Sequence, residues 1–272
     1  MKPYQFPDPS RHPEWTPPQS EAFYSRLVEE TGEYKYPWNS IFEEPTAETI
    51  LYRTICSNLS EQARILDVGC GHGEFTHRVA SNARAAEVIG IDITEGFIHT
   101  ANRSRGSGKV RYQQVNADAD LPFADHEFDA AYTKKGPTGW YQEANRVVKP
   151  GGLVCGLYHG GTDGGLRKLF PGLYVPMVYE PDKAAEGLVR NLRLSDSGLA
   201  DIQVQPIEEI EYLAAPEDVL RKKCFGQSKL LKEFVWRECL QQVEEIFHHH
   251  ATSKGLKVIN YHYFVTAKAR TA

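Results

Sequence analysis

The stretch Ile65-Leu66-Asp67-Val68-Gly69-Cys70-Gly71-His72-Gly73-Glu74-Phe75-Thr76 decides how the rest of the chain is read. Ile65 to Val68 is a short apolar run suited to a buried parallel strand. Glycines follow at alternate positions, and Phe75, Val79 and Ala83 are then spaced to share one face of a helix. Strand, glycine-rich turn and helix is the arrangement by which an α/β sheet presents backbone N–H groups to a ligand at its carboxyl edge. Glycine suits the turn because the backbone bends sharply and a side chain would occupy the ligand's place.

The spacing separates two classes. A nicotinamide or flavin fold wants G-x-G-x-x-G with a pyrophosphate on the helix N-terminus. Here the pattern is G-x-G-x-G with Asp67 in front. A carboxylate beside the turn repels a pyrophosphate and suits a ligand that carries an ammonium group. D-x-G-x-G-x-G after a strand resembles the first motif of class I S-adenosylmethionine-dependent methyltransferases. The competing reading of this segment alone is a glycine-rich turn without a ligand.

Further segments follow in the order that family would have them. Asp92 ends a second strand, where a rigid carboxylate can accept both hydroxyls of a ribose. Nicotinamide enzymes use the same device, so Asp92 does not discriminate; Ile93 beside it offers an apolar side chain to a flat base. Asn116-Ala117-Asp118-Ala119-Asp120-Leu121-Pro122-Phe123 resembles the family's G-D-A-x-x-L-P-F segment with a shortened spacer, which leaves open whether Asp118 or Asp120 reads an adenine. Glu143-Ala144-Asn145-Arg146-Val147-Val148-Lys149-Pro150-Gly151-Gly152 resembles the family's turn from helix to fifth strand, with proline and glycine expected to end the helix. The resemblance covers roughly residues 60–160 and is closest to a small-molecule, ubiquinone-biosynthesis-like group. It implies S-adenosyl-L-methionine as cofactor, contacted by Asp67, Gly69, Cys70, Gly71, Gly73, Asp92, Ile93, Asp118, Ala119 and Thr133.

Outward from the motif, strands are expected at 64–68, 87–93, 110–115, 128–133 and 153–158. Helices are expected to follow Gly73, to start near Thr94, and to run from Pro137 to Val148. Strands alternating with helices at this spacing imply a parallel sheet covered on both faces. The expected fold class is α/β: a Rossmann-like, seven-stranded, mostly parallel sheet, its last strand (257–267) antiparallel beside the fifth as in the family. Residues 1–58 read as an N-terminal arm and helical cap, with an extended or disordered stretch through residue 20 and helices at 21–33 and 46–58. Residues 59–272 read as the methyltransferase domain, with a lid loop at 159–180, a helix at 182–195, a strand at 201–213 and a helical insertion at 214–254.

Composition narrows the function. Hydrophobic residues make up 41% of the 272, ample for a packed core, and the net charge of −5 gives no support for a strongly basic nucleic-acid surface. Five cysteines without C-x-x-C spacing read as reduced thiols of a cytoplasmic protein. No apolar leader and no membrane-spanning run is present in the sequence. His248-His249-His250 point in different directions on a helix, so no metal site is expected.

Methyl transfer asks little of side chains, because the sulfonium already activates the methyl group; the protein must align a nucleophile and exclude water. The segment after strand four, Thr133-Lys134-Lys135-Gly136-Pro137, lacks the N/D-P-P-Y motif of amide-like nitrogen methyltransferases. Lys134 could bind an anionic substrate or be a surface lysine. Tyr34, Trp38 and Tyr141 could wall a substrate or belong to a hydrophobic latch and core. His159, just after strand five, is the candidate general base. The expected activity is methyl transfer to an oxygen, nitrogen or carbon of a small organic molecule. An RNA-base methyltransferase and a non-catalytic S-adenosylmethionine-binding protein are the alternatives. The sequence leaves the oligomeric state open.

Overall fold

The computed structural model describes residues 5–82, 84–104, 108–162, 164–175, 180–194 and 197–270. The chain divides into two compact units. One comprises Met1–Thr46, Gly161–Tyr179 and Glu208–Tyr261; the other comprises Ala47–Gly160, Glu180–Ile207 and His262–Ala272.

The second unit is built on the opening motif. Its run of apolar residues is β2 (Ala63–Val68), which pairs in parallel with β3 (Ala85–Asp92) and with β5 (Phe128–Lys134). The sheet continues from β3 to β4 (Val110–Gln114) and from β5 to β6 (Val148–Thr162), again in parallel. Successive side chains of a strand face opposite ways, and β2 shows the consequence. Ile65 joins Leu51, Ile55 and Val79 in one buried cluster, whereas Leu66 and Val68 join Ile91, Phe128, Trp140 and Val154 in another. The sheet is therefore buried on both faces, as an all-parallel sheet requires. Each large apolar side chain so buried contributes roughly 1.5–3 kcal/mol. The helices of this unit are α2 (Ala47–Ser57), α3 (Glu74–Ala80), α4 (Glu95–Arg103), α5 (Tyr141–Val147) and α7 (Pro181–Leu194).

With β1 at Ser40–Phe42, β7 at Ala200–Leu213 and the last strand, β8, at Leu256–Lys268, the strand order is β1-β7-β8-β6-β5-β2-β3-β4, so β8 lies beside β6. Its direction is fixed by hydrogen bonds just beyond its end. The Gly151 N–H donates to the Ala269 carbonyl at 2.9 Å, and the Ala269 N–H donates to the Gly152 carbonyl at 3.0 Å. With Gly151 at φ +77°, this is a glycine bulge of the kind found in antiparallel pairs. The Lys149-Pro150-Gly151-Gly152 turn therefore does not end a helix as expected: α5 stops at Val147, and the glycines bend β6.

The first unit holds α1 (Glu21–Thr31), β1 (Ser40–Phe42), α6 (Gly164–Leu169), α8 (Pro216–Lys223) and α9 (Lys229–His250). Ser20 caps α1 by accepting the Phe23 N–H, and Gly32 ends it in the left-handed conformation. Ser228 caps α9 by accepting the Leu231 N–H. Leu231, Val235, Cys239 and Val243 then recur every fourth residue and are buried with Phe170, Leu213, Leu220 and Val258. The two long strands β7 (Ala200–Leu213) and β8 contribute residues to both units.

Several expectations are corrected. The sheet has eight strands, not seven, because β1 adds an antiparallel edge to the last three residues of β7. The N-terminal arm is not extended throughout: residues Pro9–Arg11 form a 3-10 turn and Phe6 is buried. The Thr16 N–H and carbonyl both pair with the Gln227 side-chain amide, which ties the arm down. The expected lid loop at 159–180 contains the end of β6 and all of α6. The helix expected from Pro137 begins at Tyr141. The boundary expected at residue 58 falls at Thr46, since α2 packs in the second unit. Ala83 and Ser195, read as helix positions, and parts of the arm (1–4) and lid (163, 176–179) lie outside the described residues. No helix among the described residues is long and apolar enough to cross a membrane.

Candidate active site

The glycine turn is laced to the end of β3. The Gly69 and Cys70 N–H groups donate to the Ile91 carbonyl at 2.8 and 2.9 Å, and the Gly71 N–H donates to Asp92 Oδ2 at 2.9 Å. Gly69, Gly71 and Gly73 all have positive φ. Their reasons for lacking a side chain differ. A Cβ on Gly73 would lie 2.2 Å from the Tyr112 hydroxyl, so this glycine serves packing within the fold. A Cβ on Gly71 would meet nothing within 4 Å. The flank of Gly71 is the open cradle that a ligand could enter.

Asp92 is oriented from both sides. Oδ2 accepts from Gly71 and Oδ1 accepts the Thr94 N–H at 2.8 Å. Each carboxylate oxygen has a second lone pair, so this fixed carboxylate can still accept two hydroxyls. Beside it Ile93 is 61% exposed. Asp118 is exposed and lies against Gly139, where any Cβ would come 2.1 Å from its Oδ1. The N–H of Ala119, another expected cofactor contact, closes a turn onto the Asn116 carbonyl at 3.2 Å.

Asp67 does not project into open space. It is 2% exposed, and its Oδ2 accepts hydroxyl hydrogen bonds from Thr76 and Tyr132, both at 2.7 Å. Burial raises its pKa to about 6; the two hydroxyls and Lys134 oppose that rise, and the Asp92 charge adds to it. Burial likewise raises Asp92, against the Thr94 and Gly71 N–H groups. Two neighbouring carboxylates held above their ordinary range make a pocket that gains from a cation. Cys70, between them, is pushed well up by burial and both acids, so its thiol stays protonated and is no nucleophile. At the end of β5 the buried Thr133 hydroxyl has no partner among the described residues. The Gly136-Pro137 turn that follows touches the glycine motif: a Cβ on Gly69 would stand 2.9 Å from Pro137 Cδ.

The remaining expected site residues are placed as follows. Lys134 and Lys135 both pair with Glu48 Oε1, at 3.2 and 3.4 Å. Burial would raise the Glu48 carboxyl, but the two lysines outweigh it and hold it below the usual range. The lysines are therefore committed to an internal carboxylate, and the reading of Lys134 as an anion clamp loses its basis. Tyr141 is 1% exposed, stacks on Trp140 at 4.6 Å and accepts the Tyr158 hydroxyl at 2.8 Å, so it is core and not a substrate wall. Tyr34 and Trp38 lie in the first unit among Phe23, Tyr36 and Phe225. Trp38 stacks on Tyr36 at 4.4 Å and donates to Glu211 Oε1 at 2.7 Å. His159 is within β6, not after it; its ring is exposed and lies 5.3 Å from that of His262. Glu48, Tyr112 and Tyr132 were not anticipated. Glu48 stands 86 residues before Lys134, and nothing local marks it.

The open flank of Gly71, the fixed Asp92 carboxylate, exposed Ile93, the unpartnered Thr133 hydroxyl and the paired acids fit a nucleoside that carries a cationic amino-acid tail. Residues 65–152, within the second unit, match the family model described as methyltransferase domain. The chain is similar to an O-methyltransferase of Aspergillus sclerotiorum, 35% identical over 133 residues, covering 43% of this chain and 50% of that protein. It is also similar to a demethylmenaquinone methyltransferase of Staphylococcus saprophyticus, 32% identical over 105 residues, covering 36% of this chain and 45% of the relative. The chain thus spans about half the length of these curated relatives. A solved structure of a functionally unknown protein from Deinococcus radiodurans R1 shares the fold, with TM-score 0.59 and 19% identity over 90% of this chain and 98% of that one.

Proposed function

We propose that the protein transfers the methyl group of S-adenosylmethionine to a nucleophilic oxygen, nitrogen or carbon of a small organic molecule. The carrying observation is the Asp92 carboxylate, locked by the Gly71 and Thr94 N–H groups beside the open flank of Gly71. The relative from Aspergillus sclerotiorum is named an O-methyltransferase, which makes oxygen the first acceptor to test.

When bound, the cofactor supplies an electrophilic methyl group on a sulfonium. The chain's own residues bind and orient. Asp92 accepts the ribose hydroxyls with its spare lone pairs. Ile93 offers an apolar surface to the base, and Asp118 accepts from the adenine amino group. The backbone at Gly69–Gly73 approaches the amino-acid tail. Asp67 and Asp92 together favour its positive charges. His159 takes the proton of an acidic acceptor hydroxyl as a general base.

Incubation with methyl-labelled S-adenosylmethionine and a panel of phenols and carboxylic acids tests this reading. Label must pass to an organic product and be lost with Asp92→Ala. The net charge of −5 leads us to propose that nucleic acid is not the acceptor. Retention on heparin at moderate salt would reverse that.

A further inference from the structure

The first unit carries an open pocket of about 550 Å³ formed by α1, the segment after it, α8 and the start of α9. This is within the 300–1,000 Å³ usual for small-molecule sites. Leu27, Pro37, Phe225 and Trp236 give it apolar and aromatic walls. The Phe225 ring is fixed in place, with the rings of Phe23, Tyr34, Tyr36 and Trp38 packed on it at 5.5, 5.3, 5.4 and 5.7 Å. The wall is therefore preformed, so little ordering is needed when a ligand enters.

The charges that line it are unequally engaged. Glu30 gives both oxygens to Lys232, at 2.9 and 3.1 Å, and Glu233 faces Lys229 at 3.7 Å. Arg221 spends one nitrogen on Asp218, at 2.8 Å. That carboxylate is fully buried and also takes the Asn39 and Ala215 N–H groups at 3.1 and 3.0 Å. The other N–H groups of the Arg221 fork have no partner among the described residues, and Lys35 makes no ion pair among them. The half-buried Trp236 indole N–H is likewise unpaired among the described residues. Spare donors are thus cationic or neutral, and the lining acids are already matched. A planar fork with free N–H groups suits a carboxylate, and aromatic walls suit a flat ring.

We propose that this cavity binds an aromatic carboxylic acid, its ring against Phe225 and Trp236 and its carboxylate on Arg221 and Lys35. The site is independent of the methyl-transfer reading and would stand if S-adenosylmethionine did not bind.

The experiment uses the full chain without cofactor. 2-Naphthoate, 2-naphthylmethanol and 2-naphthylmethylamine are titrated at pH 7.5 by calorimetry and by tryptophan fluorescence. Naphthoate should bind about tenfold or more tightly than the alcohol, as a charge-assisted fork contact implies, and the amine should be weakest. Lys35→Met and Arg221→Met should each cost naphthoate several-fold in affinity and leave the alcohol unchanged. Trp236→Phe should reduce the fluorescence response to bound naphthoate. Should Arg221→Met fail to fold, with the buried Asp218 unpaired, Arg221→Lys keeps the charge, and Lys35→Met, at an exposed position, still decides. Equal binding of naphthoate and the alcohol, preference for the amine, or naphthoate affinity indifferent to Lys35→Met and to whichever Arg221 variant folds would each overturn the assignment.

Discussion

The Asp92 carboxylate accepts the Gly71 backbone N–H at 2.9 Å, so the acid that ends β3 and the glycine that opens the cradle are one rigid unit. Asp92→Ala removes that tie and the Thr94 N–H acceptor together. S-adenosylmethionine affinity should fall by about 1–3 kcal/mol, the range for losing hydrogen bonds to a charged group. Calorimetry on the variant, with its melting temperature as a check on folding, measures this. Unchanged affinity would remove Asp92 from the site.

The alternate glycines should separate by observable. Gly73→Ala forces a methyl group to within 2.2 Å of the Tyr112 hydroxyl at φ +88°, and should cost folding about 1–3 kcal/mol. Gly71→Ala meets no neighbour within 4 Å. It should cost the fold only the left-handed backbone strain, about 1 kcal/mol, while blocking the cradle. Denaturant melts and cofactor titrations on the two variants should therefore rank them in opposite order.

Asp67 makes stability depend on pH. Its folded pKa of about 6 lies above the ordinary 3.8, so the folded state holds a proton that the unfolded chain has released between those values. Stability from this group is present below pH 4 and is lost as pH rises through 6. The full difference is about 3 kcal/mol, taking 1.4 kcal/mol per unit. Asp67→Asn keeps an oxygen for Thr76 and Tyr132 and cannot ionise. Its stability relative to the parent should grow between pH 4 and 7, and urea melts at several pH values would show a flat difference if the account is wrong.

The motif from Ile65 to Phe75 was legible because strand, turn and helix each leave a local mark: an apolar run, glycines, then a 3.6-residue period. The same marks located β3 to β6 and the stripe of α9. What escaped lacks local marks. β1 is three residues long, with Ile41 58% exposed, and exists through its pairing with β7. α6 hides in a glycine-rich stretch whose helicity depends on burying Leu166 and Phe170. An aromatic side chain at the start of a helix fits a pocket wall or the core equally well by sequence; Trp140 and Tyr141 are both buried where α5 begins. Glu48 neutralises Lys134 and Lys135 from another helix, a pairing no spacing rule contains.

Tyr141 and His159 should behave oppositely on substitution. Tyr141→Phe removes the acceptor of the Tyr158 hydroxyl and should lower stability by about 1 kcal/mol with kcat and acceptor KM unchanged. His159→Gln, at an exposed position, should leave stability alone and lower kcat by about 10²-fold or more for a hydroxyl acceptor. A kinetic effect at Tyr141 or none at His159 would reverse their roles.

Titration of the full chain with S-adenosylmethionine, S-adenosylhomocysteine and NAD in one calorimetric series tests the central claim most directly. The site as described binds the first two at a single site, loses both with Gly71→Ala, and gives no heat with NAD. Binding of NAD, or silence with both methionine-derived nucleosides, would contradict it.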